Sequence, residues 1–74
     1  MTTGTISWFS LDKGFGIIKT DDGSEVFMSY SAIADSSLRY PSAGQRVEFQ
    51  MRESAHNFLN YTEGLRAADV RLAS

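Results

Sequence analysis

Gly14-Phe15-Gly16-Ile17-Ile18-Lys19-Thr20, Asp21-Asp22-Gly23-Ser24 and Glu25-Val26-Phe27-Met28-Ser29 follow one another without a break. The outer two stretches are rich in β-branched and aromatic side chains, which fit a pleated, half-buried surface. The middle one carries an Asp-Gly dipeptide, whose tolerance of positive φ suits a tight turn. Together they read as a β-hairpin. Side chains alternate across a strand, so Gly16 and Ile18 share one face while Phe15 and Ile17 share the other. Beyond the turn, Val26 and Met28 oppose Phe27 and Ser29. A core uses one face only. Val26, Met28 and Ile18 supply it, which leaves Phe15 and Phe27 pointing outward from neighbouring strands, and outward rings require an explanation.

Upstream, Thr5-Ile6-Ser7-Trp8-Phe9 reads as a strand joined to the hairpin by the short turn Ser10-Leu11-Asp12-Lys13. Downstream, residues 35–44 contain the single proline, Pro41, and read as a surface loop. Gln45-Arg46-Val47-Glu48-Phe49-Gln50-Met51-Arg52 alternates polar and apolar side chains and adds Val47, Phe49 and Met51 to the core. Residues 65–72 read as a last strand, although their alanines also tolerate helix. Five short strands without a long helix predict an all-β fold, a small five-stranded antiparallel barrel, because closure removes the edges an open sheet would expose. The 74 residues allow one domain, residues 1–74, with a long loop at about 53–63.

With 42% hydrophobic and 22% charged residues, the composition is that of a folding chain and not of a disordered tail. There is no cysteine and His56 is the sole histidine, so packing has to hold the fold; no metal and no cofactor are expected. The apolar runs are far shorter than the ~20 residues that span a bilayer, and Met1-Thr2-Thr3 opens no signal peptide. The expectation is a cytoplasmic protein with no membrane and no small-molecule substrate. Catalysis is not expected either. His56 has only scattered serines near it in sequence, the acidic residues show no paired spacing, and Asp21-Asp22 is turn chemistry. A net charge of −2 argues against holding nucleic acid by bulk electrostatics. Stacking has to dominate if such a ligand binds.

In these residues the sequence resembles the cold-shock domain, a five-stranded barrel of the oligonucleotide/oligosaccharide-binding (OB) fold. The resemblance is carried by Gly4-Thr5-Ile6-Ser7-Trp8-Phe9, Lys13-Gly14-Phe15-Gly16-Ile17-Ile18, Val26-Phe27-Met28-Ser29-Tyr30-Ser31-Ala32-Ile33, Gly44-Gln45-Arg46-Val47-Glu48-Phe49 and Ala67-Ala68-Asp69-Val70. It covers residues 4 to 52 and 64 to 72, and implies binding of single-stranded RNA or DNA on the face of the first three strands. The chemistry is consistent: bases present π faces, so such a face needs flat rings spaced along a sheet, with cations at its rim. Trp8, Phe15, Phe27 and Tyr30 are the candidate rings, and Lys13 and Arg39 the candidate phosphate contacts. Phe9, Ile17, Lys19, Ser29, Phe58 and Tyr61 form a second tier. Gly14 and Gly16 are expected to keep the surface around Phe15 clear. Composition alone favours a role in the core for Trp8 and Phe27; alternation and the resemblance together reverse that.

Several positions depart from the family pattern. Ile17 and Ser29 stand where Phe and His are usual, Tyr30 where Phe is commoner, and Leu38 at a loop position that is often aromatic. Thr5 and Ser7 occupy positions where lysines are common. At ~1–3 kcal/mol per stacked base, the missing rings imply reduced affinity. Tyr40 either replaces the absent loop ring or packs beside Pro41. Arg46, Arg52, Arg66 and Arg71 read as a solvated face. The loop at 53–63 is longer than is usual in the family and carries Phe58, Leu59 and Tyr61, which are open to three roles: packing on the barrel, stacking on bases or self-association. Two functions follow from the resemblance. One is an RNA chaperone or regulator of transcription or translation that binds unpaired strands; the other is a divergent domain acting through a protein partner or self-association, with little nucleic-acid binding. The expected state is a monomer or weak homodimer.

Overall fold

The computed structural model describes residues 2–53 and 65–73. Five strands, β1 (Thr2–Ser10), β2 (Phe15–Thr20), β3 (Glu25–Ser29), β4 (Arg46–Glu53) and β5 (Leu65–Leu72), are joined after β3 by a 3₁₀ turn at Tyr30–Ala32. They close into a barrel in the order β1-β2-β3-β5-β4. Most of the loop expected at 53–63 lies outside the described residues. Four of the five neighbouring pairs are antiparallel, and β3 with β5 is parallel. Parity requires this, since directions cannot alternate all the way round a closed ring with an odd number of strands.

The hairpin turn forms where the Asp-Gly dipeptide placed it. Gly23 takes φ 95°, and the Thr20 hydroxyl and the Ser24 N–H both donate to the Asp22 carboxylate. Within β2 and β3 alternation holds: Ile18, Val26 and Met28 are buried with Ile6, Val47, Phe49, Ala67 and Val70. Two expectations about the core are corrected. Leu38, read as standing at a loop position that is often aromatic, is 1% exposed and belongs to the core. The loop that carries it is pinned by Asp35, whose carboxylate accepts the backbone N–H of Ser37 at 2.9 Å and of Leu72 at 3.1 Å. Met51, expected inside, is 38% exposed. Its strand pairs with β1 only from Arg46 to Phe49, so Met51 has a β5 neighbour, Ala67, but no β1 neighbour to cover it.

Two irregularities reset the alternation. In β1 the register passes from Ile6↔Ile18 to Trp8↔Ile17, leaving Ser7 as an extra residue. Such a bulge bends the strand and re-aims the side chains beyond it. Ile6 faces the core, Trp8 faces out, and Phe9 turns back to pack on the core. Gly16 sits opposite Phe9, and a Cβ there would lie 2.2 Å from the Trp8 carbonyl oxygen. Its role is therefore close strand contact under the bulge and not, as expected, clearance around Phe15. In β5 the register skips Asp69 and Val70 against Phe49, and Asp69 takes φ 53°. That bulge turns both Ala67 and Val70 inward, three residues apart.

Candidate nucleic-acid interface

The outer surface of β1, β2 and β3 gathers the rings. Trp8 lies 40% exposed on β1. Its ring meets Phe15 edge-on, with centroids 5.9 Å apart at 68°, and Phe15 leans on Phe27 at 5.5 Å and 30°. The latter two are half-buried. Both contacts are diagonal across the ladders, since Ser10 and Ser29 are the direct partners of Phe15 and Ile17 that of Phe27. Diagonal neighbours are within reach of aromatic side chains. Ile17 sits at the centre of this group, opposite Trp8 on one side and Phe27 on the other. It is only 3% exposed. As a position presenting itself to ligand, Ile17 is corrected: it is buried between its ladder partners Trp8 and Phe27.

Tyr30 belongs to a neighbouring cluster. Its backbone N–H donates to the Gly14 carbonyl at 2.8 Å, which binds the 3₁₀ turn to the turn between β1 and β2. Its hydroxyl donates to the Arg39 carbonyl at 3.2 Å, and its ring lies 6.4 Å from that of Phe9. Phe9 is half-buried and packs on the core, so its contribution is to back Tyr30. Between Tyr30 and the 34–39 loop lies an open groove of about 330 Å³. Ser29, half-buried beside Phe15, shares a hydrogen bond of 3.0 Å with the exposed Ser31 hydroxyl.

Of the cations, Lys13 is exposed in the turn next to the rings, and Arg39 is exposed beyond Tyr30. Lys19 is exposed on the ring-bearing face of β2, in register with Thr5 and Glu25. Tyr40 is 71% exposed, which removes the expectation that it packs beside Pro41. Arg46 pairs with Asp21 at 2.7 Å and also donates to the Thr5 hydroxyl; hydrogen bonding from this guanidinium holds the Asp21 carboxyl below its usual range. Sequence reasoning placed Arg52 and Arg66 on an indifferent solvated face. In the barrel Arg66 lies directly opposite Phe27, and Arg52 opposite Arg66. Nothing local in the sequence signals this, because the register joins strands far apart in the chain. Phe58 and Tyr61, with Leu59, lie outside the described residues.

Among the described residues no helix is long and apolar enough to cross a membrane, and no three His, Cys, Asp or Glu side chains are grouped to hold a metal ion. The arrangement offers ring faces, hydroxyls and rim cations. The family described as "'Cold-shock' DNA-binding domain" matches residues 2–73. The cold shock protein CspC of Bacillus subtilis is 36% identical over 73 residues, covering 99% of this chain and all of the relative. The major cold shock protein of Streptococcus pyogenes serotype M6 is 43% identical over 53 residues, 72% of this chain and 79% of the relative. The cold shock-like protein CspLB of Listeria monocytogenes is likewise 43% identical over 53 residues, 72% of this chain and 80% of its own. With a closed five-stranded barrel and a match over nearly its whole length, the chain belongs to the cold-shock domain family.

Proposed function

We propose that this protein binds single-stranded RNA or DNA by stacking bases on Trp8, Phe15 and Phe27, and acts as an RNA chaperone that keeps strands unpaired. The observation that carries this reading is the contiguous group of rings on the outside of a closed barrel, Trp8 to Phe15 to Phe27, with centroids 5.9 and 5.5 Å apart. A ring in the core serves packing, whereas rings left partly open side by side leave apolar surface in water unless a flat ligand covers them. Tyr30 adds a further ring next to the groove, and Lys13, Lys19 and Arg39 supply cations at the rim. The family description, which names DNA binding, supports the same ligand class. Binding energy does the work and no bond is made or broken.

The test is quenching of Trp8 fluorescence by oligothymidine and oligouridine. Titration of the parent is expected to saturate. Phe15→Ala and Phe27→Ala are expected to weaken binding by about 1–3 kcal/mol each while the barrel stays folded. A parent that shows no quenching, or ring variants that unfold with no separate effect on binding, overturns the reading. In the first case the domain that works through a protein partner is left standing.

A further inference from the structure

The ladder registers run Trp8↔Ile17, Ile17↔Phe27, Phe27↔Arg66 and Arg66↔Arg52. Residues opposite one another in a ladder share a face. One row of side chains therefore crosses all five strands on the outer wall: aromatic and aliphatic on β1 to β3, then cationic on β5 and β4. Its four steps, at about 4.8 Å between strands, cover roughly 19 Å. Both arginines are exposed. Arg52 donates to the side chain of Gln50 at 3.2 Å, and among the described residues the one ion pair, Arg46 with Asp21, involves neither. Glu25, which shares the outer face of β3 with Phe27, has Lys19 as its cross-strand neighbour.

Two like charges directly opposite across a ladder are destabilising in themselves. An anion between them reverses the sign, and a guanidinium fork fits phosphate oxygens. The row also begins with the surface proposed to stack bases, and every base stacked there carries a phosphate on each side. We propose that Arg66 and Arg52 form a phosphate-binding end to the single-strand track, extending it past β3 onto β5 and β4. This inference rests on the reading of the rings as a stacking surface.

The experiment compares the full chain with R52Q/R66Q, R52K/R66K and Phe27→Ala, using oligothymidine of seven nucleotides, Trp8 fluorescence and a series of salt concentrations. Each neutralised phosphate contributes a slope of about −0.7 in log affinity against log salt on single strands. R52Q/R66Q is therefore expected to flatten the slope by about 1.4 and to bind about 25-fold more weakly at 0.1 M salt, the difference vanishing toward 1 M. R52K/R66K keeps the parental slope, because lysine serves phosphate as a point charge. The melting temperature of R52Q/R66Q is expected to equal or exceed that of the parent, since a like-charge pair is removed. Should the double variant fail to fold, the single variants R52Q and R66Q carry the test, each about fivefold weaker at 0.1 M salt. Parental slope and affinity in the glutamine variants, with Phe27→Ala still weakened, overturn the arginine track and leave the stacking surface intact. No binding by the parent at any salt concentration overturns both.

Discussion

Ile17 and Leu38 show how much the role of one side chain depends on what surrounds it. Ile17 faces away from the core, yet it is 3% exposed, buried between its ladder partners Trp8 and Phe27. Leu38 lies in a loop and is 1% exposed because that loop folds it into the core. Leu38→Ala is expected to lower stability by about 2–5 kcal/mol, as removal of a buried leucine does. Urea unfolding measures this, and binding per folded molecule should stay at the parental level. A ring variant such as Phe15→Ala gives the reverse pattern, with affinity lost and the unfolding midpoint little changed.

At the scale of elements, the two bulges decide what each strand presents. In a regular strand Trp8, two residues beyond Ile6, would share its face and enter the core; the bulge at Ser7 turns it outward. The bulge depends on Gly16, where a Cβ would meet the Trp8 carbonyl oxygen at 2.2 Å and the Phe9 Cα at 2.7 Å. Both are backbone atoms and neither can swing aside. Gly16→Ala is expected to cost about 1–3 kcal/mol or more, as overpacking does, and to shift the emission of Trp8 as its strand is displaced. In β5 the strain falls on Asp69, at φ 53°. The left-handed region costs a side chain with a Cβ roughly 1–2 kcal/mol, less for Asp and nothing for Gly. Asp69→Gly should therefore hold or raise the denaturation midpoint, and Asp69→Val should lower stability by about 1–2 kcal/mol.

Taken whole, the molecule has a net charge of −2, and three of its aspartates are held by local hydrogen bonds. Asp35 is held below its ordinary pKa by the backbone N–H of Ser37 and then that of Leu72, Asp21 chiefly by hydrogen bonding from Arg46, and Asp22 chiefly by the Thr20 hydroxyl. A carboxyl whose folded pKa is depressed contributes stability that is present above its unfolded pKa and lost as pH falls through the folded one. The barrel should therefore lose stability on acidification below about pH 4. Asp35→Asn should shrink that loss, because it removes a group that joins the 34–39 loop to the end of β5; melting curves from pH 7 to pH 2 test this. The salt dependence of binding is expected to be shallow in the same global sense. With Lys13, Lys19, Arg39, Arg52 and Arg66 as the contributing cations, a slope of about −2 to −3.5 follows. A slope beyond about −5 would require a basic surface elsewhere.

The strands, the Asp-Gly turn, the outward direction of Phe15 and Phe27 and the inward direction of Val26, Met28, Val47 and Phe49 were legible in the sequence alone. Each depends on neighbours within one strand or one turn, and period-two alternation relates such neighbours directly. The motifs that resemble the cold-shock domain were legible for the same reason, being short runs at short spacing. Four features were decided only by the tertiary structure. Trp8 faces outward because a bulge resets the phase of β1, and Leu38 is buried because a hydrogen-bonded loop folds inward. Met51 is exposed because β1 pairs with β4 only from Arg46 to Phe49. The line from Trp8 to Arg52 exists because closure of five strands brings β3 against β5 in parallel and fixes a register between segments far apart in the chain. Alternation carries no information across that distance, so the cationic half of the row emerges only when the barrel closes.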